Sequence, residues 1–179
     1  MKQSKFPFFV WLVALPFFVI HVWLMSKNLP SQIASAWDSN GQPTAWSATS
    51  QTIDILSFVG LGLGMSAFII GLCFGIRWLP ASKLNVPNKA FWHKPANRPI
   101  ALSHMFYHSF WLGTLAFAFV AATHYFIVIS HRVEDMNFSR WGMNIAAGLF
   151  MAGVIAWCFT LVRFFLNIEK QKQIQRSSA

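Results

Sequence analysis

Two histidines in separate apolar segments could do chemistry, because an imidazole in such surroundings can bind a metal or move a proton. His21 and His124 lie toward the same end of their segments, and their depths differ by about one helical turn at ~1.5 Å per residue. Asp54 opens the apolar segment between them, and Asn144 lies one turn into the next segment. Ionisable residues inside membrane helices are costly and tend to face a bundle interior or a water-filled cavity. These four residues therefore form the first candidate site.

The chemistry of His21 and His124 has three candidate forms. Neutral imidazoles on facing helices can ligate a metal ion or haem iron, or relay protons together with a carboxylate such as Asp54. The alternative is structural, since a histidine near a membrane interface can bond a backbone carbonyl or a lipid headgroup. Neither histidine lies in an E-x-x-H or H-E-x-x-H motif, so the sequence leaves these interpretations open.

A second histidine pair, His104 and His108, has the i, i+4 spacing that places both rings on one helix face. This spacing can chelate a metal, with His93 on the preceding loop as a further histidine. No acidic residue nearby supplies another ligand or a hydrogen-bond partner that would orient one. We therefore expect an amphipathic turn at a membrane interface, with metal binding as the alternative.

The motifs of common soluble enzymes do not occur in this sequence. It contains no nucleophile elbow or P-loop, and the glycine-rich stretch 60–64 lacks the G-x-G-x-x-G spacing of a dinucleotide fingerprint. Cys73 and Cys158 both lie in apolar runs, so neither a disulfide framework nor a C-x-x-C zinc site is indicated. The sequence therefore favours a non-enzymatic role.

Four long apolar runs must position these residues. Of the 179 residues, 55% are hydrophobic and 11% charged, which is too apolar for an average soluble domain. Each run reaches the ~20 residues that a helix needs to cross a bilayer. The prediction is an all-α integral membrane four-helix bundle that forms one domain over residues 1–179. Helices are predicted at 6–25, 53–78, 105–130 and 141–166, with an outer loop at 26–52, a cytoplasmic loop at 79–104, a short outer loop at 131–140 and a basic tail at 167–179.

The placement of lysine and arginine predicts the orientation, because basic loops resist translocation. One side of the predicted membrane carries both termini and collects Lys2, Lys5, Arg77, Lys83, Lys89, Lys94, Arg98, Arg163, Lys170, Lys172 and Arg176. The other side collects only Lys27, Arg132 and Arg140, together with the acidic Asp38, Asp54, Glu134 and Asp135. Both termini are therefore predicted to be cytoplasmic, in a multi-pass protein of the bacterial inner membrane. We expect this basic belt to contact anionic lipid headgroups, not nucleic acid.

Small residues on the second and fourth predicted helices indicate close helix packing. The second helix contains the GxxxG motifs Gly60 to Gly64 and Gly71 to Gly75, and the fourth has glycines and alanines at similar spacing. We expect these two helices to pack together within the chain. The alternative is a homodimer through the same glycine-rich faces.

Two loops are rich in turn-forming and aromatic residues, which suits a preformed contact surface. Tryptophans often supply much of the energy of a protein interface, and Asn-Gly is a strong tight-turn signal. The candidate binding residues are Pro30, Trp37, Asn40, Gly41, Pro43 and Trp46 in the outer loop, and Pro87, Asn88 and Trp92 in the cytoplasmic loop. The structural alternative is that both loops are held at the membrane interface by their aromatic residues.

The same loops carry a resemblance to a known family. The outer loop, with Leu29-Pro30, Trp37, Asn40-Gly41, Pro43 and Trp46, resembles that of the SdpI-related family of small bacterial membrane proteins, and Pro87-Asn88-Lys89 before Phe91-Trp92 resembles the inner loop of its four-helix members. Where many members have Pro and then His before the aromatic residue, this chain has Ala34, Ser35 and Ala36. The resemblance implies a four-helix membrane module. Its characterised relatives suggest immunity to a secreted peptide toxin, coupled to sequestration of a transcriptional repressor.

The leading functional hypothesis is a non-enzymatic inner-membrane binding or accessory module that contacts partners through its two loops. An immunity or signalling role is what the resemblance implies. The alternative is a redox or transport-coupled subunit of a larger membrane complex that uses His21 and His124. Membrane lipids are the expected ligands, with haem or a metal ion under the alternative hypothesis, and the expected partner is a protein in the membrane.

Overall fold

The computed structural model describes residues 4–27, 29–131 and 140–168, and these form mainly helices. In chain order the elements are α1 (Phe6–Met25), β1 (Gln32–Trp37), β2 (Pro43–Ala48), α2 (Gln51–Gly75), 3₁₀ turns at Ile76–Trp78 and Ala81–Lys83, α3 (Lys89–Trp92), α4 (Arg98–Ser130) and α5 (Arg140–Leu166).

Four helices among the described residues are long and apolar enough to cross a membrane. They are α1, α2 with its following 3₁₀ turn, α4 and α5, with mean hydropathies from 1.9 to 2.3 over their most apolar windows. Each coincides with one of the four predicted spans. Prolines at positions 7 and 99 lie in the first turns of α1 and α4, where the missing N–H costs no helical hydrogen bond.

The longest helix, α4, forms the centre of the bundle and packs against α1, α2 and α5. Its buried residues Phe117 and Val120 meet Phe18 and Val22 of α1, and residues of α2 close the same core. At Gly113 of α4 a Cβ atom would lie 2.6 Å from the hydroxyl of Ser66 in α2. The absent side chain therefore lets α4 approach α2 closely.

The predicted pairing of α2 with α5 is wrong. Each of these helices packs along α4, and the described residues form no extended contact between α2 and α5. A Cβ atom added at Gly60, Gly64 or Gly71 would meet no other atom within 4 Å, so the glycine-rich face of α2 is open. A GxxxG motif lets another helix approach closely, but it does not determine which helix packs there. The homodimer alternative stays a prediction.

The outer loop contains a β-hairpin, so the prediction of an all-α chain is incorrect for this segment. β1 and β2 pair antiparallel, with Gln32 opposite Ala48 and Trp37 opposite Pro43. The predicted Asn40-Gly41 turn is confirmed: Gly41 has a φ of +83°, and Asp38 Oδ1 accepts the backbone N–H of Asn40 and of Gln42. We call the bundle end that carries β1 and β2 the hairpin end.

The opposite end is built from residues 76–97 and the last turn of α5, and we call it the basic end. The predicted loop 79–104 is only partly a loop, because α3 lies within it and α4 begins at Arg98, seven residues before the predicted start. Arg98, Ser103 and His104 make the start of α4 more polar than the rest of the helix, so the apolar run in the sequence begins later than the helix does. Trp92, Ala101 and Phe165 form a second buried core at this end.

Part of the charge asymmetry falls outside the described residues. This applies to Lys2, Lys170, Lys172 and Arg176 on the predicted cytoplasmic side, and to Arg132, Glu134 and Asp135 on the predicted outer side. Six described basic residues belong to the basic end, because they lie between α2 and α4, at the start of α4 or in the last turn of α5. They are Arg77, Lys83, Lys89, Lys94, Arg98 and Arg163.

Candidate functional site

Asp54 lies in the first turn of α2, at the hairpin end. Ser50 caps this helix by accepting the backbone N–H of Ile53 at 3.3 Å. The N-terminus of a helix carries a partial positive charge, which favours a carboxylate there. Asp54 is only 3% exposed, so the helix positions an acidic group inside the bundle and not at its surface.

A buried carboxylate–imidazole pair joins α2 to α4. Nε2 of His124 lies 2.7 Å from Oδ2 of Asp54, and His124 is fully buried. The ring of Phe58 covers the imidazole at a centroid distance of 4.5 Å. The surroundings of the imidazole are therefore partly apolar, and Nε2 lies within hydrogen-bond distance of Oδ2.

Ser26, at the end of α1, completes the pair from a third helix. Its hydroxyl lies 2.5 Å from Oδ2 of Asp54 and 2.7 Å from the carbonyl oxygen of Val22. The single hydroxyl proton of Ser26 can be donated to Oδ2 or to the carbonyl oxygen of Val22, and Oδ2 is also within hydrogen-bond distance of Nε2 of His124. Ser26 is fully buried.

His21 lies beside this group on α1, with its ring centroid 6.0 Å from that of His124. Nε2 of His21 is 3.1 Å from the carbonyl oxygen of Ala121. A carbonyl only accepts, so Nε2 donates, and Nδ1 is the acceptor nitrogen of the neutral ring. Ser26, Asp54, His124 and His21 are together called the Asp54 cluster.

Nδ1 of His124 is the unsatisfied atom of the Asp54 cluster. It is buried and has no hydrogen-bond partner among the described residues. When Nε2 donates to an ionised Asp54, Nδ1 carries a free lone pair that can take a proton or a metal ion. Proton uptake there would turn a pair with one net negative charge into a neutral ion pair.

The structure brings together three of the four residues predicted for this site. Asn144 is the exception, because it lies exposed on α5, and α5 contacts α4 on a face away from the cluster. Among the described residues no group of three or more His, Cys, Asp and Glu side chains could hold a metal ion. A metal or haem iron would have to bind through Nδ1 of His21 and of His124, since both Nε2 atoms already contact protein oxygens.

The histidines near the basic end have structural contacts. The ring of His104 stacks on Phe164 with centroids 3.5 Å apart, and His108 stacks on Trp157 at 5.3 Å. Nε2 of His108 is 3.3 Å from the carbonyl oxygen of Trp157, whose indole N–H donates to the carbonyl oxygen of His108 at 2.9 Å. These contacts join α4 to α5, which agrees with the structural interpretation of this pair.

His93, the third histidine considered for a metal near the basic end, also contacts the backbone. Its Nε2 lies 2.9 Å from the carbonyl oxygen of Leu84, so this nitrogen is the donor. His93 therefore holds the two ends of the segment 84–93 together.

The outer-loop candidates have mixed environments. Asn40, Gly41 and Pro43 form the turn and the start of β2, so their residue types are explained by the hairpin itself. Pro30 is exposed, and Trp46 is 47% exposed on β2. Of the six outer-loop candidates, Trp46 presents a large aromatic side chain at the surface.

His131, at the end of α4, fixes the hairpin to the bundle. Its Nε2 accepts the backbone N–H of Ala34 at 2.7 Å, and its Nδ1 donates to the carbonyl oxygen of Ile127 at 2.7 Å. These partners require the neutral Nδ1–H tautomer. Trp37 and Trp46 flank the ring at 6.2 and 6.4 Å. No sequence pattern singles out this histidine, since its partner is a backbone amide 97 residues away.

The cytoplasmic-loop candidates support the end of α5. The indole N–H of Trp92 donates to the carbonyl oxygen of Phe165 at 3.0 Å, and the side-chain amide of Asn88 donates to the same oxygen at 3.2 Å. Asn88 has a φ of +57°, a conformation that asparagine tolerates. Trp92 is fully buried, so its ring is not on an accessible surface, and Pro87 is half-buried beside it.

Comparison with protein-family models, curated proteins and solved structures gave no match. The resemblance to the SdpI-related family therefore rests on the two loop motifs alone, and the activity that it implies stays a prediction. The class of protein that the fold defines is a helical bundle with four helices long and apolar enough to span a membrane.

Proposed function

We propose that this protein is a multi-pass bacterial inner-membrane subunit that binds and releases a proton at the Asp54–His124 pair, within a redox- or transport-coupled assembly. The observation that carries the proposal is the buried Nδ1 of His124, which has no hydrogen-bond partner within the described part of the chain and lies beside a hydrogen-bonded carboxylate. Buried ionisable residues in membrane helices are expensive and mark ion or proton pathways. A bundle that needed only stability could fill this position with apolar side chains.

Direct observation of the His124 protonation state tests the proposal. With ¹⁵N-labelled histidine in lipid nanodiscs, Nδ1 of His124 should give both an unprotonated and a protonated signal as the pH of the medium is varied. Asp54→Asn keeps the shape but removes the carboxylate charge, so it should displace this transition. Asp38→Asn, in the exposed turn, is the matched control and should leave it unchanged.

Two results would overturn the proton-binding proposal. In the first, His124 keeps one protonation form over the whole range in the native sequence. In the second, the purified protein carries stoichiometric metal or the visible absorbance of haem, and this signal disappears on His124→Ala. The second result would establish the metal or haem alternative at the same two histidines.

The proposed orientation has the hairpin end outside the cell and both termini in the cytoplasm. It is supported by the basic residues gathered at the basic end, because such residues resist translocation. Single cysteines introduced at Ser47 and Ser82, both exposed, test it in intact cells. A membrane-impermeant maleimide should label the Ser47→Cys variant and not the Ser82→Cys variant, and the reverse pattern would invert the orientation.

Docking through the hairpin is a second candidate function, favoured by the exposed Trp46 on a strand whose residues are nearly all exposed. A partner protein could cover this tryptophan and the free edge of β2. A photo-crosslinking residue at Thr44 should then give one defined adduct in native membranes, which Trp46→Ala should abolish. The same residue at Ser82 is the control position, and identical adducts from both positions would remove the basis for hairpin docking.

A further inference from the structure

A cleft at the basic end lies between the end of α2 and the start of α4. It has a volume of about 640 Å³, and its polar lining comes from Arg77, His93, Arg98 and Ser103. Arg77 lies in the 3₁₀ turn that follows α2, and Arg98 begins α4, so both residues lie at the ends of helices long enough to span a membrane. We call this the arginine cleft.

The guanidinium of Arg98 is held in place by backbone oxygens. One of its terminal nitrogens donates to the carbonyl oxygens of Leu79 and Arg77. Its Nε is buried and has no hydrogen-bond partner among the described residues. Backbone carbonyls position the group without neutralising it, so Arg98 keeps its full positive charge.

The guanidinium of Arg77 is held by aromatic rings. It lies 4.7 Å from the centroid of Phe74 and 4.8 Å from that of Phe106. Stacking of this kind leaves the planar N–H edge available for a partner in the plane of the group. The ring pair therefore fixes Arg77 and leaves its donors for an anion.

No carboxylate of the described residues can neutralise these two arginines. The described acidic residues are Asp38 and Asp54, both at the hairpin end. Both guanidinium groups line one cleft, and Arg binds phosphate oxygens through parallel N–H donors. Two arginines without a carboxylate partner among the described residues point to an anionic ligand.

An apolar groove adjoins the same turn of the chain. It has a volume of about 440 Å³, and it is lined on α2 and just beyond it by Gly71, Leu72, Gly75 and Leu79, among others. Leu79 is also the residue whose carbonyl oxygen accepts from Arg98. The glycines make the groove by lacking side chains, and a Cβ atom added at Gly71 would have no neighbour within 4 Å. A groove of this kind fits a hydrocarbon chain.

We propose that the arginine cleft binds the phosphate headgroup of one anionic phospholipid, whose acyl chain lies in the groove along α2. Basic pockets between membrane helices are known to hold anionic headgroups. The site is independent of the Asp54 cluster, which lies at the other end of the bundle. The proposal also specifies which residues of the basic belt bind the lipid, namely Arg77 and Arg98.

Native mass spectrometry of the full chain in a neutral detergent tests this site, with phosphatidylglycerol as the anionic probe and phosphatidylcholine as the zwitterionic one. One phosphatidylglycerol should stay bound at least about tenfold more tightly than phosphatidylcholine. Arg77→Gln/Arg98→Gln should remove at least about tenfold of that affinity, while Lys89→Gln/Lys94→Gln, with the same charge change at the same end, should cost less than about threefold.

Three outcomes of this measurement bear on the proposed lipid site. Equal losses in the arginine and lysine variants would mean a diffuse electrostatic belt, and would overturn the site. Displacement of phosphatidylglycerol by equimolar inorganic phosphate would show a free-phosphate site, and would overturn the lipid. If the double arginine variant does not give a single species on size exclusion, Arg77→Gln alone is the test variant. Among the described residues, Arg77 contacts ring faces and donates no hydrogen bond that a neighbouring helix needs, so this variant should fold, and its affinity for phosphatidylglycerol should fall at least about threefold.

Discussion

The hairpin end and the basic end both place histidines within membrane-length helices, but they use them differently. At the hairpin end His124 pairs with the buried carboxylate of Asp54. At the basic end His93 and His108 meet backbone carbonyls, and His104 and His108 stack on aromatic rings. Of these two arrangements, the first places two ionisable side chains in direct contact.

The distribution of acidic residues explains this difference. Asp38 and Asp54 belong to the hairpin end, whereas the described charges at the basic end are all positive. A histidine without a carboxylate neighbour has backbone oxygens and ring faces as its available partners. The comparison shows that a histidine becomes a functional candidate here through its carboxylate neighbour, and not through its residue type alone.

The largest effect is expected for Asp54→Ala. It leaves the Nε2 donor of the buried His124 without its acceptor, so the free energy of unfolding should fall by about 1–3 kcal/mol. Denaturant titration in mixed micelles measures this loss. Asp38→Ala, which removes exposed turn hydrogen bonds, is the control and should cost about 1 kcal/mol.

A double variant sharpens that prediction. Asp54→Ala/His124→Ala removes both partners, so it should cost clearly less than the sum of the two single variants, with a coupling of about 0.5–3 kcal/mol. Strict additivity would mean that the two side chains do not interact in the folded protein.

Trp92→Phe tests whether the basic end depends on apolar packing and a backbone hydrogen bond. The change removes the donor to the Phe165 carbonyl and leaves a small void, so we expect a loss of about 1–2 kcal/mol in the same titration. Trp78→Phe is the matched control, because Trp78 is 76% exposed. An equal loss in the control would contradict a specific role of Trp92.

His131→Phe tests the attachment of the hairpin. The backbone N–H of Ala34 loses its acceptor, at a cost of about 1 kcal/mol, which corresponds to roughly fivefold faster amide hydrogen exchange at Ala34. The amide of Asp38 bonds to the carbonyl of Gln42 within the turn and should exchange at its original rate. Unchanged exchange at Ala34 would show that His131 does not hold β1.

His108→Phe should have the smallest effect. The ring contact with Trp157 can persist, and Nε2 of His108 loses only its contacts at 3.3 Å with the Trp157 carbonyl oxygen and at 3.1 Å with the Thr160 hydroxyl, so a loss of about 0.5 kcal/mol is expected. Trp157→Phe, which loses the 2.9 Å bond to the His108 carbonyl, should cost about 1 kcal/mol. A loss above about 2 kcal/mol for His108→Phe, which is the scale expected for Asp54→Ala, would remove the contrast between the two ends.

Part of the candidate site could be predicted from the sequence. His21, Asp54 and His124 are ionisable residues in apolar runs, and their depth follows from counting residues along helices. Asn144 lies at a similar depth by the same residue count, but it is exposed. Counting residues gives the depth of a side chain along a helix and not the direction in which it points. Ser26 was missed because a serine at a helix end gives no signal until its acceptor is known.

The sequence by itself determined the four apolar helices and the Asn40-Gly41 turn, because hydropathy and turn propensity act over neighbouring residues. Only the tertiary structure decided that α4 is the central helix, that Gly60, Gly64 and Gly71 of α2 stay open, and that Asp54 meets His124 across 70 residues of chain. These contacts depend on which helix faces are turned toward each other. An apolar helix face is about equally stable against lipid and against another helix, so hydropathy alone does not say which faces pack together. The packing of the whole bundle decides it.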